Sequence, residues 1–239
     1  VFAWTTSWGV STRLVGALVM VHSDDDGLVL PPKLAPKHVV ILPICRNDAE
    51  RAQVLPYCES LLKELNAQSF SGGNVKAWID DRDMRGGEKN WQHVKRGVPL
   101  RAEVGPRDIA KNAVFLGRRD TGEKRNIGRQ ELVQNVGSIL DEMQGNLYQR
   151  ALALREANTR IIDNADEFRE YFTPKDTEKP EIHGGFAACH WAEDPAIDQL
   201  LADLKVTIRC LPSQGEQEPG KCIFTGRPST GRAIFAKAY

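Results

Sequence analysis

The run Ser7-Trp8-Gly9-Val10-Ser11-Thr12-Arg13, followed by an apolar stretch over 14–21, holds residue types suited to a polyphosphate. Small residues let a nucleotide approach the backbone closely. A guanidinium at a strand-to-helix junction can fork onto phosphate oxygens that lysine meets only as a point charge. An isolated arginine ahead of an apolar helix is nevertheless more often a surface or capping residue. A second set lies in 78–108, with Asp80-Asp81-Arg82, Gly86-Gly87-Glu88-Lys89 and the continuous run from Lys95 to Asp108. On a strand, Arg101 and Glu103 share parity and project from one face. There a guanidinium and a carboxylate can read the acceptor and donor edges of an unstacked base. The competing reading is a surface salt bridge between neighbours, which is worth little.

The other candidates carry less. His22, His38 and His93 are scattered singly and read as packing or surface histidines. Asp24-Asp25-Asp26-Gly27 lacks the spaced oxygen ligands and closing glutamate of a calcium loop, and reads as a solvated turn. The five cysteines (Cys45, Cys58, Cys189, Cys210, Cys222) are odd in number and irregularly spaced, with no secretory signal ahead of them. Reduced thiols and a cytoplasmic location are the expectation. The apolar run over 14–21 falls far short of the roughly 20 residues that span a bilayer. No membrane segment is expected.

The 239 residues can bury one sizeable core or divide into two or three smaller ones. Lys plus Arg equals Asp plus Glu at 32 each, so no overall field draws the chain to nucleic acid or membrane. Residues 76–129 hold 14 Lys/Arg against 8 Asp/Glu, whereas 130–239 hold 12 against 17. A basic middle is compatible with a localised RNA contact and with a solvated basic face.

The elements that must position these residues follow from periodicity. The first 36 residues read as a strand, a buried helix and a turn, then an edge strand over 28–32, where proline supplies no donor. From His38 the pattern alternates: strand 39–44, helix 48–66, strand 75–79, helix 88–96, strands 98–104 and 113–116. This predicts an α/β sandwich with a mixed or largely parallel sheet. Leu132, Val136, Ile139, Leu140 and Met143 place an apolar face on one long helix over 129–158. After a polar hinge at 173–176, short strands around 185–188, 206–210 and 233–236, with a helix over 195–204, predict a small α+β domain.

The stretch 7–36, SWGVSTRLVGALVMVHSDDDGLVLPPKLAP, closely resembles motif 3 of the prolyl-tRNA synthetases and the segment leading from it into their anticodon-binding domain. The resemblance implies that Arg13 is the catalytic arginine on the ATP phosphates and that Ser11 and Thr12 share its ATP-binding segment. It also implies that Ser7, Trp8 and Gly9 floor the prolyl-adenylate pocket. The portion KRGVPLRAEVGPRD, 95–108, resembles the anticodon-binding domain shared by prolyl-, histidyl-, threonyl- and glycyl-tRNA synthetases and is closest to the prolyl enzymes. Proline anticodons carry two adjacent guanines, and the resemblance implies RNA recognition by Lys89, Lys95, Arg101, Glu103 and Arg107. The end of the chain, His183-Gly184-Gly185-Phe186 through Tyr239, resembles the eukaryote- and archaeon-like members, in which a terminal tyrosine reaches toward the active site. A frayed terminus is the alternative for Tyr239. Many such relatives hold a structural zinc on four cysteines. The matching positions here are Ala192, Ile197, Cys222 and Thr225, so no structural zinc is expected.

The implied fold is an α/β anticodon-binding domain, a mixed sheet flanked by helices, plus a small α+β C-terminal domain and a remnant of the class II antiparallel catalytic sheet. The implied boundaries are 1–36, 37–145 and 146–239. In the complete enzyme the activity is ligation of proline to proline tRNA through prolyl-adenylate, with ATP and Mg2+, by a homodimer. Val1 opens inside a motif, and a fragment without motifs 1 and 2 is expected, inactive by itself. The alternative is a non-catalytic tRNA-binding module.

Overall fold

The computed structural model describes residues 3–176, 178, 184–212 and 218–237; His183 and Tyr239 lie outside them. The chain divides into two compact units, 1–151 and 152–239.

The first unit is built on a five-stranded sheet in the order β4-β1-β5-β6-β7. Its strands are β1 Val39–Pro43, β4 Ala77–Ile79, β5 Leu100–Val104, β6 Ala113–Arg118 and β7 Lys124–Gly128. Strand β1 pairs in parallel with β4 and β5, while β5, β6 and β7 pair antiparallel, so the sheet is mixed. All five residues of β1 are buried, as expected of a central strand covered on both faces. Parity divides them. Val39 and Ile41 join Leu100, Ala102 and Val104 in a core covered by α2 (Asp48–Asn66) and α5 (Arg129–Ala157), whereas Val40 and Leu42 pack with Val98, Ile44 and Trp78. Helix α3, Gly86–Lys95, covers that second face, with His93 edge-on to Trp78 at 5.4 Å. The alternation leaves Arg101 and Glu103 on the α3 side of β5.

Local chemistry starts these helices. Asn47 Oδ1 accepts the Glu50 amide at 2.8 Å, and Glu50 Oε2 accepts the Arg46 amide at 2.8 Å, which fixes the first turn of α2. Arg129, opening α5, forks onto Glu64 of α2 and lies over the Tyr57 ring. Three short elements beyond the sequence expectation complete the unit: the hairpin β2 (Ser69–Phe70) and β3 (Gly73–Asn74), helix α4 (Pro106–Ala110), and β7 itself. Exposed Lys124 and Arg125 conceal β7 in the sequence; it exists because β6 supplies its ladder.

The start of the chain departs from expectation. Residues 3–10 form no strand, and α1, Arg13–His22, buries none of its residues. Leu14, Val15 and Met20 are 59%, 62% and 76% exposed. An apolar run suffices to make a helix, but burial needs an opposing surface, and among the described residues only Ala17, Leu18 and His22 of this helix are even half covered. The catalytic-sheet remnant is therefore not formed here. Residues 28–32 are not a strand either. Leu28 and Leu30 donate to the carbonyls of Lys95 and Gly97, and Pro31 and Pro32 have no N–H to extend a ladder.

The second unit is a four-stranded sheet in the order β10-β13-β9-β8, made of β8 Thr159–Ile161, β9 Phe186–His190, β10 Val206–Cys210 and β13 Arg232–Lys237. Helix α6, Ala165–Phe172, is capped by Asn164 and drives Phe168 and Phe172 into a core with Phe235, Ala187, Cys189 and Val206. Each buried phenylalanine contributes about 2 kcal/mol of transfer free energy. A 3-10 turn, Pro195–Ile197, leads into α7, Asp198–Asp203, and a small hairpin pairs β11 Gly220–Lys221 with β12 Pro228–Ser229.

Candidate nucleic-acid interface

At the carboxyl ends of β1 and β5 a cleft of about 370 Å³ opens, the position where parallel strands of α/β sheets commonly take ligands. Its lining combines Glu103 from β5, Arg46 and Glu50 around the start of α2, Arg107 and Asp108 of α4, and Phe115 and Asn126 from β6 and β7. Gly105 keeps the approach to α4 open, its amide donating to Asp108 Oδ2 at 2.8 Å. Glu103 is half-buried. Burial pushes its carboxyl above the ordinary value of 4.5, against the opposing pull of Lys124 and Arg101. A cleft with a carboxylate on its floor, guanidiniums at its rim and an aromatic ring within it can accept a base that donates hydrogen bonds, with its phosphates on the arginines.

Beside the cleft, a second polar group is fully committed to internal contacts. Asp80, just beyond β4, is buried and accepts the Arg82 guanidinium on both oxygens at 2.7 Å. Its Oδ2 also meets His93 Nε2 at 2.7 Å. The hydrogen bonds from Arg82 hold the Asp80 carboxyl well below the usual carboxylate range, while burial lowers His93 against the opposing pull of Asp80. Lys89 Nζ donates to the Asp80 carbonyl at 3.2 Å. The loop 80–85 and the first turns of α3 are thereby tied to the sheet.

The structure sorts the residues singled out from sequence. Glu103 and Arg107 meet in the cleft. Lys89 and Arg101 are each only 4% exposed and present no free charge at the surface. Arg101 donates from Nε to Asn90 Oδ1 at 2.8 Å and packs so closely on Gly117 that a Cβ there would sit 2.9 Å from its Nη2. No ion pair forms between Arg101 and Glu103, although they share a face as expected. Lys95 is exposed on α3, above the Trp91 ring. Ser7, Trp8, Gly9, Ser11, Thr12 and Arg13 are all exposed and are not gathered into a cleft. Asn126, Phe115 and Arg46 were not identified from sequence. Phe115 and Asn126 enter through the pairing of β6 with β7, which no local pattern announces, and Arg46 enters beside the cap of α2.

In the second unit Cys222 is buried beside Thr225 and Ala192. Burial raises its thiol, but hydrogen bonds from the Thr225 side chain and from the Phe224, Thr225 and Ala192 amides outweigh this and leave it lowered. Among the described residues no group of three or more His, Cys, Asp and Glu side chains is placed to hold a metal. No helix among them is long and apolar enough to cross a membrane.

Comparison with known proteins agrees with this architecture. Residues 38–139 match the family model described as an anticodon binding domain, and 176–239 match that of the prolyl-tRNA synthetase C-terminal domain. The first unit is thus of the class that binds tRNA anticodons. The whole chain is similar to the Proline--tRNA ligase of Rhodopirellula baltica at 55% identity over 239 residues. It is likewise similar to that of Bdellovibrio bacteriovorus at 54% over 240 residues, covering 46% and 47% of those proteins. Proline--tRNA ligase 2 of Anaeromyxobacter dehalogenans is 51% identical over 99% of the chain and 48% of its own length. The chain belongs to the prolyl-tRNA synthetase family, matches a C-terminal portion of it, and spans about half the length of the curated relatives it matches.

Proposed function

We propose that this chain supplies the anticodon-recognition portion of a proline--tRNA ligase, a cytoplasmic homodimer that uses ATP with Mg2+ to form prolyl-adenylate and then transfers the prolyl group to proline tRNA. The observation that carries the reading is the half-buried Glu103 carboxylate facing the cleft at the ends of β1 and β5, with Arg107 and Arg46 beside it. A guanine offers adjacent N1–H and N2–H donors, which an ionised carboxylate accepts as a pair. The two arginines neutralise backbone phosphates, and Phe115 offers a ring for stacking. Lys89, Arg101 and Asn90 support this surface from within, and Lys95 extends it along α3. Arg13, with Ser7, Trp8, Gly9, Ser11 and Thr12, serves the ATP and proline side of the reaction, where positioning and charge neutralisation carry the chemistry.

The test is binding of an RNA hairpin that carries the two adjacent anticodon guanines. Glu103→Gln is expected to weaken binding about tenfold, equivalent to about 1.4 kcal/mol. Equal affinity for hairpins with and without the guanine pair overturns the assignment. A non-catalytic RNA-binding module is the second reading, favoured by the exposure of every residue from 3 to 16. Proline-dependent ATP–pyrophosphate exchange is expected at background for these 239 residues alone, and exchange above background excludes the module.

A further inference from the structure

Arg119 follows directly after β6 and is buried, yet its side chain serves neither the sheet nor the cleft. Its guanidinium is directed at one junction. Nη1 donates to Asp24 Oδ2 at 2.7 Å, and Nη2 donates to Asp24 Oδ1 at 2.5 Å and to the Gly27 carbonyl at 3.2 Å. Nε donates to the carbonyls of Leu28 at 2.9 Å and Val94 at 3.1 Å. One side chain thus holds residues 24–28, the strap behind α1, and the last turn of α3. Lysine has no fork with which to reach a carboxylate and two carbonyls from different directions. A cation at the carboxyl end of α3 also complements the helix dipole.

The backbone at this junction leaves no room for slippage. Gly27, at φ +132°, lies so close to α3 that a Cβ would fall 2.6 Å from Lys95 Cα. Gly97, at φ +70°, lies so close to the strap that a Cβ would fall 2.7 Å from the Leu28 carbonyl oxygen. Two glycines with positive φ, one on each side, permit the contact that Leu28 N–H to Lys95 O, at 3.0 Å, and Leu30 N–H to Gly97 O, at 3.3 Å, then fix. Asp24 closes its own turn through paired backbone bonds with Gly27, and the fork from Arg119 holds its carboxyl below the usual range.

We propose that Arg119 is a positioning residue that bolts the strap behind α1 to the carboxyl end of α3, making one helix the common support of the nucleotide-contact segment and the RNA cleft. The opposite end of α3 reaches the cleft. Gly86 abuts Ile44 of the lining, Asn90 holds Arg101, and Lys89 holds the Asp80 carbonyl. Ten residues of helix separate the two ends by about 15 Å. That the ends serve RNA and nucleotide rests on the function proposed above; the clamp itself does not.

Hydrogen exchange of the 239-residue chain tests the clamp, with Asp24→Asn and Arg119→Lys as variants and Asp25→Asn as a control of equal charge change. In both variants the Leu28 and Leu30 amides are expected to exchange about tenfold faster or more, with β1 and β5 unchanged and the control like the parent. Parental exchange at Leu28 and Leu30 in both variants overturns the clamp. The same measurement is repeated with the guanine-pair hairpin bound. Slower exchange at Leu28 and Leu30 is expected in the parent and no slowing in Arg119→Lys, whose hairpin affinity stays within about twofold. Hairpin binding without that slowing in the parent, or with slowing retained in Arg119→Lys, overturns the shared support. A hairpin that does not bind the parent overturns the reading of the cleft and the shared support together, while exchange in the RNA-free chain still decides the clamp.

Discussion

Two regions of the first unit carry family motifs, and the chain treats them in opposite ways. Residues 95–108 are built into a sheet whose long-range pairing creates a cleft with a half-buried carboxylate and two arginines. Residues 7–22 form an exposed segment and a helix with no buried residue. The difference is one of partners. Arg101 and Glu103 find β1, β6 and α3 within the chain, whereas most apolar side chains of α1 stay exposed, with only Ala17 and Leu18 half covered. A motif identifies a family wherever it occurs, but it becomes a site only where the fold encloses it.

The largest effect is expected at the enclosed region. Asp80→Ala removes a buried carboxylate that accepts two Arg82 bonds and one from His93, leaving polar groups near the base of the cleft without their acceptor. A loss of about 2 kcal/mol in unfolding free energy is expected, since leaving a buried polar group such as His93 Nε2 without its partner typically costs about 1–3 kcal/mol, while the half-exposed Arg82 is solvated again. Urea denaturation of the 239-residue chain measures it. A loss below about 1 kcal/mol would mean that the Asp80 group is as weakly held as a surface pair and that the contrast between the two regions is overstated.

The comparison also shows what the sequence makes legible. The apolar run over 39–44 and the helix over 48–66 were readable because a run or a period of apolar residues is a local signal. The shared face of Arg101 and Glu103 followed from parity alone. Strand β7, the role of Asn126 and the burial of Arg101 were not readable, because each depends on contacts with residues distant in sequence. Asp24 shows the same limit from the other side. Three consecutive aspartates read as a solvated turn, yet the first is forked by Arg119, 95 residues away.

A smaller effect sharpens the comparison through pH. In the folded chain Glu103 binds its proton more tightly than in the unfolded chain, since burial raises its carboxyl above 4.5. Through the window from that raised value down to 4.5, the folded state therefore gains protons first. Stability attributable to Glu103 rises as pH falls and is lost as pH rises. RNA binding runs the opposite way, because a guanine edge needs the ionised carboxylate. Hairpin affinity is expected to decline on acidification at a higher pH than an ordinary carboxylate would give, and Glu103→Gln should abolish that step in the profile. An unchanged acid limb in Glu103→Gln would assign the titration to another group.

The smallest effect is expected at α1, and its smallness is the point. Met20 is 76% exposed and Leu14 59%, so replacing both with serine removes little buried area. The expected change in unfolding free energy is within about 0.5 kcal/mol for each, the range of surface substitutions that break no cap, pair or core contact. Serine is a somewhat poorer helix former than leucine or methionine, which sets the direction as slightly destabilising. The same two replacements should leave hairpin affinity unaltered, because the cleft draws no lining residue from α1. A loss above about 1 kcal/mol would require a covering surface for this helix, such as a second copy of the chain, and a midpoint that rises with protein concentration would identify that copy. A small, concentration-independent change leaves α1 as the structure shows it, a formed helix with most of its apolar side chains exposed.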